Sequence, residues 1–144
     1  MSPGQGNRVV VRKRIRATRE ELFDAWTDPE GMRDWMRPGD AMSAEVQMDP
    51  RVGGSVLFII RNATETFEHR GEFRVFDRPA KLAFTWTAKA MEGTTTLVTV
   101  EFLAISPEET EIVLTHEGIP SKEVSDRYQS GWGRIIEHLE ARFV

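Results

Sequence analysis

The sequence contains no cysteine. That excludes disulfides, thiol nucleophiles, thiolate-bound zinc and iron–sulfur clusters, so the fold must stand on packing alone. Long apolar runs are also missing. The longest, Val56 to Ile60, is far short of the roughly 20 residues that cross a bilayer as a helix, and no membrane span is expected. Positive charge is in deficit, with 19 Lys and Arg against 23 Asp and Glu and a net charge of −4. Phosphate neutralisation needs clustered cations, so nucleic acid is not an expected partner. The one basic cluster, Arg12 to Arg16, is interleaved with Val11 and Ile15 and reads as the solvated face of a strand.

Chemical motifs are equally sparse. None of the three histidines has metal-ligand spacing with another, and the His116-Glu117-Gly118 triplet is not the HExxH of a zinc hydrolase. There is no GxSxG elbow, GxGxxG turn or Walker loop. No metal, cofactor or catalytic constellation is therefore expected. Residues 1–7, MSPGQGN, lack the charged start and apolar stretch of a secretory signal. They are read as a flexible tail, and the protein is expected in the cytoplasm.

With 40% hydrophobic and 29% charged residues over 144 positions, the composition fits one soluble domain with a single core, spanning 1–144. Its organising stretch is Ser121 to Val144. There Tyr128, Trp132, Ile135, Ile136, Leu139 and Phe143 recur at steps of three and four, which places them on one stripe of a long helix. His138 is expected on the solvent side of that helix.

Upstream, Val9, Val11, Lys13 and Ile15 alternate with Val10, Arg12, Arg14 and Arg16 as a first strand. Thr18 and Glu21 form a capping-box pattern for a short helix carrying Leu22, Phe23, Ala25 and Trp26. Pro29 can open a second helix, which offers Met32, Trp35 and Met36 to the interior. From Met42 onward the pattern is strands. Asp49 to Gly54 reads as a hairpin turn, and Ser55 to Asn62 is apolar on both parities, so its faces are undetermined. Phe67, His69, Gly71, Phe73 and Val75 share one face, with Glu68 and Glu72 outward. Leu82, Phe84 and Trp86 follow after the Arg78-Pro79 turn, then Val98, Val100 and Phe102, then Ile112, Leu114 and His116. Short links favour antiparallel hairpins. A sheet of this size curls and needs a plug on its concave face, and only the terminal helix is long enough.

Several spaced segments then resemble a known family. They are Phe23 to Met36, Asp49 to Gly54, Arg78 to Trp86, Leu114 to Pro120 and Ser130 to Glu140, and they look like the activator of heat-shock protein 90 ATPase homologue-like domains of the START-like (SRPBCC) superfamily. The resemblance implies an α+β helix-grip fold, β-α-α-β6-α, in which a curved seven-stranded antiparallel sheet wraps a long C-terminal helix. It also implies a hydrophobic cavity between helix and sheet. A small apolar or amphipathic ligand is the expected partner. A chaperone contact with heat-shock protein 90 is the second expectation, and cyclase or hydrolase chemistry in the same cavity the third.

Trp26, Trp35, Met36, Phe58, His69, Phe73, Phe84, Trp86, Val100, Leu114, His116, Tyr128 and Trp132 are the candidate cavity residues, though core packing explains apolar periodicity first. Glu117 is the one carboxylate placed near a cavity mouth. Gly131 and Gly133, flanking Trp132, each cost about 1 kcal/mol against Ala inside a helix. Their presence is read as close approach of the backbone to the sheet or as room for a ligand.

Overall fold

The structure is a computed structural model that describes residues 7–143. Nearly all of the expected tail, 1–7, lies outside the described residues, and Asn7 itself opens the first strand, where its side-chain amide donates to the Ile119 carbonyl. The elements are β1 (Asn7–Ile15), α1 (Arg19–Ala25), α2 (Pro29–Trp35), β2 (Ser43–Met48), β3 (Ser55–Arg61), β4 (Thr66–Asp77), β5 (Lys81–Trp86), β6 (Thr96–Ser106), β7 (Glu109–Ile119) and α3 (Lys122–Ala141), with a 3-10 turn at Lys89–Met91. The strands form one antiparallel sheet in the order β1-β7-β6-β5-β4-β3-β2. Consecutive strands from β2 to β7 are hairpin neighbours, and α1 and α2 carry the chain from one edge of the sheet to the other.

The local chemistry explains the boundaries. The Thr18 hydroxyl accepts from Glu21 N at 3.1 Å and the Glu21 carboxylate accepts from Thr18 N at 3.0 Å, which completes the capping box and starts α1. Arg78 holds Asp24 with two bonds of 2.8 and 2.9 Å, tying α1 to the β4–β5 turn and keeping the Asp24 carboxyl below its ordinary range. Ser121 caps α3 by accepting from Val124 N, satisfying one of the donors that a helix start leaves open. Over its 20 residues α3 spans about 30 Å.

The core lies between that helix and the concave face of the sheet. Val9, Ile15, Phe84, Trp86, Val98, Val100, Phe102, Ile112 and Leu114 are buried there against Trp132, Ile135, Ile136 and Leu139. Strand parity assigns these faces correctly, and the structure resolves β3, which parity left open: Val56, Phe58 and Ile60 point inward. Phe143, at the end of the expected stripe, is only partly buried.

Two local features depart from simple alternation. In β4 the register shifts between Phe73 and Val75. A bulge of this kind reverses side-chain parity, so Phe76, not Val75, joins Phe73 on the core, with its ring edge-on to Phe73 at 5.5 Å and to Phe23 at 5.3 Å. Gly71 sits just before this bulge, where a Cβ would fall on the Thr85 carbonyl oxygen. The backbones of β4 and β5 pass so closely there that only glycine fits.

Candidate functional site

Between α3 and the β3–β5 half of the sheet the packing opens into a groove of about 910 Å³. Four segments distant in the chain build its walls. The α2–β2 loop contributes Pro38 and Met42, and the β3–β4 hairpin contributes Ile60, Glu65, Thr66, Phe67, Glu68, His69 and Arg70. The end of β5 and the 3-10 turn contribute Trp86, Thr87, Ala88, Lys89 and Ala90, while α3 supplies Arg127, Tyr128, Gly131, Trp132 and Ile135. Most of the wall is apolar, with charged residues at the rim.

Of the residues singled out from the sequence, His69, Trp86, Tyr128 and Trp132 line this groove. Trp26, Trp35, Met36, Phe58, Phe73, Phe84, Val100, Leu114 and His116 lie in the close-packed core beneath or beside it. Trp26 and Trp35 meet edge to face at 4.9 Å, and their indole N–H groups have no protein partner among the described residues. Glu117 is not on the groove wall.

His116 holds the helix to the sheet. The Trp132 indole N–H donates to its Nδ1 at 3.0 Å, so Nδ1 carries no proton and Nε2 does. Nε2–H donates to the Thr96 hydroxyl at 2.7 Å, and that hydroxyl donates to the Trp86 carbonyl at 3.0 Å. Every polar atom in this buried relay has a partner, and the relay fixes a single neutral tautomer. Burial, reinforced by charge repulsion from His69, pushes the His116 pKa down to about 3. Both ring nitrogens are thereby committed to structure, which leaves none to move a substrate proton.

His69 differs. Its Nδ1–H donates to the Phe58 carbonyl at 3.3 Å, so the neutral ring keeps Nε2 as an acceptor with no protein partner among the described residues. Its ring lies against Trp86 with centroids 4.8 Å apart. Burial lowers its pKa, opposed in part by the bond to Phe58, so it is a neutral acceptor at physiological pH. Tyr128 accepts from the Trp86 indole N–H at 3.2 Å. Its own O–H remains available as a donor, and burial raises its pKa. The groove thus presents an aromatic floor with one acceptor, His69, and one donor, Tyr128.

The loop wall is fastened from behind. His138, expected toward solvent, instead holds the Arg37 carbonyl through Nδ1 at 2.8 Å and the Asp40 carboxylate through Nε2 at 2.9 Å. Arg134 pairs with the same carboxylate at 3.1 Å. The bonds from His138 and Arg134 keep Asp40 below the usual carboxylate range. Helical periodicity cannot anticipate this, because the α2–β2 loop that covers His138 comes from a distant part of the chain. Of the two readings for the helix glycines, close backbone packing does not hold. A Cβ at Gly133 would meet nothing within 4 Å, and one at Gly131 only Pro38 at 3.5 Å, so neither marks a steric collision. Gly131 does border the groove.

The remaining wall residues escaped sequence reasoning for different reasons. Parity places Phe67 inward, and it is half-exposed because it faces the groove and not the core. Glu68 and Arg70 belong to the outward alternating set of β4 and still border the groove, whereas Lys89 and Arg127 are single charges without any local pattern. Among the described residues no cluster of His, Cys, Asp or Glu could hold a metal ion, and no helix is long and apolar enough to cross a membrane.

The same architecture occurs in solved structures. Protein CV1439 from Chromobacterium violaceum superposes with a TM-score of 0.86 at 18% identity, covering 95% of this chain and 96% of that one. The AHSA1 protein from Silicibacter pomeroyi gives 0.81 at 20% identity over 94% and 96% of the two chains. PFC0360w, described as an HSP90 activator from Plasmodium falciparum, gives 0.75 at 25% identity over 95% and 96%. No curated protein sequence matches. Residues 16–143 match the family described as Activator of Hsp90 ATPase homolog 1-like protein, and with its helix-grip sheet, its terminal helix and this match over most of its length, the chain belongs to that family.

Proposed function

We propose that the protein holds a small apolar or amphipathic molecule in the groove between α3 and the sheet, contacted by His69, Trp86, Tyr128 and Trp132. One observation carries this reading: a space of about 910 Å³ with a mostly apolar wall and, on its aromatic floor, the uncommitted acceptor of His69 and donor of Tyr128. That is the size and chemistry of a small-molecule site. The reading requires binding and no catalytic step.

The test is Gly131→Leu. At this position the new side chain enters the groove wall, while Leu is the better helix former by about 0.8 kcal/mol. Native mass spectrometry against a panel of lipids and aromatic compounds should show bound species for the natural protein and none for the variant, with thermal stability unchanged or raised. No bound species with either protein would overturn the proposal.

A second reading rests on the family description and on the relative described as an HSP90 activator: contact with heat-shock protein 90 through the outer surface. It predicts co-purification with the chaperone and a changed ATPase rate, both indifferent to Gly131→Leu. Absence of both effects would remove it.

A further inference from the structure

We propose that the groove is shaped for an aromatic anion, its ring system packed against the accessible rings of Phe67 and Tyr128 and its anionic group placed between Lys89 and Arg127. This rests on the reading of the groove as a ligand site and narrows its ligand class. The floor favours rings. The Trp86 and Trp132 centroids lie 5.3 Å apart with their planes at 59°, His69 leans on Trp86 at 36°, and Tyr128 stands edge-on to it at 6.1 Å. Such surfaces take aromatic faces by offset and edge contacts.

Charge settles the polar end. The chain carries a net charge of −4, yet three of the five charged residues on the groove wall are cations. Arg70 pairs with Glu68 at 3.4 Å, which cancels both. Lys89 and Arg127 have no ion-pair partner among the described residues, and both are exposed at the rim. The remaining acid, Glu65, sits in the β3–β4 turn, where its backbone N–H is tied to the Asn62 side chain. Two uncommitted cations against one acid leave a positive surplus. Tyr128, next in sequence to Arg127, adds an O–H donor, and because its pKa is raised it stays protonated at neutral pH. Two cations and a neutral donor make a receptor for a carboxylate or sulfonate.

The experiment is a fluorescence titration of the full chain with two probes that share one ring system. They are 8-anilinonaphthalene-1-sulfonate and the uncharged N-phenyl-1-naphthylamine. The natural protein should bind both and prefer the sulfonate, and added salt should weaken only the sulfonate. The double variant Lys89→Gln, Arg127→Gln should lose about fivefold in affinity for the sulfonate, the sum of two exposed charge contacts, and keep its affinity for the neutral probe. Lys89→Gln alone gives the same comparison if the double variant melts early. Equal binding of the two probes, or a ratio unchanged in the variants, would overturn the anion assignment while leaving the groove as an apolar site. Failure of both probes to bind the natural protein would overturn the groove reading with it.

Discussion

Replacing His116 by Gln should remove a defined part of the protein's acid sensitivity. In the folded state Trp132 N–H occupies Nδ1 and the Thr96 hydroxyl accepts from Nε2–H, so a second proton would sit against an indole N–H inside the core. The folded ring therefore stays neutral down to about pH 3, whereas the unfolded chain takes up a proton near the ordinary value of 6.5. Because the unfolded state binds more protons, stability rises with pH. The contribution from His116 is complete above about 6.5 and is lost as pH falls toward 3. Between pH 7 and pH 5 the loss is about 2 kcal/mol. Asp24 and Asp40, whose pKa values are lowered from 3.8, lose their contributions below that value and stay outside this window. His69, lowered by burial, acts in the same direction as His116 but is common to both proteins. Gln can accept from Trp132 and donate to Thr96 without titrating, at a cost of about 1 kcal/mol at pH 7. Urea unfolding at pH 7, 6 and 5 should show the natural protein losing about 2 kcal/mol more than His116→Gln across the series. Parallel losses would mean that His116 is not held neutral by this relay.

Other substitutions test the packing from which the site is built. Thr96→Val removes both the acceptor for His116 and the donor to the Trp86 carbonyl, and should cost about 2 kcal/mol in urea unfolding; a loss within error of zero would contradict the relay. Gly71→Ala drives a Cβ onto the Thr85 carbonyl and should destabilise by about 3 kcal/mol or more, seen as a low melting temperature or failure to accumulate folded protein. Gly133→Ala enters open space and should stabilise by about 1 kcal/mol, raising the melting temperature by about 3 °C; a fall would place an unrecognised neighbour against the helix.

The parts of the fold that sequence reading recovered are those governed by short-range periodicity. The stripe from Tyr128 to Leu139 and the inward sets of β5, β6 and β7 follow from periods of 3.6 and 2, and they meet as expected. Periodicity fails wherever one residue changes the count or a distant segment covers a surface. The bulge after Phe73 exchanges Val75 for Phe76, and the α2–β2 loop turns His138 from a solvent residue into an anchor. Glycine in a sequence does not say whether close packing or open space surrounds it. Gly131 and Gly133 drew attention as breaks in a helix yet have space around them, while Gly71, an unremarked member of an alternating strand, is the one held by backbone contact. The groove was only partly visible because four separate segments form it. Its aromatic floor belongs to periodic patterns, but Lys89 and Arg127 carry no local signature of a shared site.

The four tryptophans offer a direct measurement of where a ligand lies. Trp86 and Trp132 line the groove, whereas Trp26 and Trp35 are buried away from its wall. In 1H–15N spectra of the full chain titrated with N-phenyl-1-naphthylamine, the indole N–H signals of Trp86 and Trp132 should shift with a saturable dependence while those of Trp26 and Trp35 stay in place. Saturable shifts at Trp26 and Trp35 alone, or no saturable shift at any of the four, would contradict a ligand site between the terminal helix and the sheet.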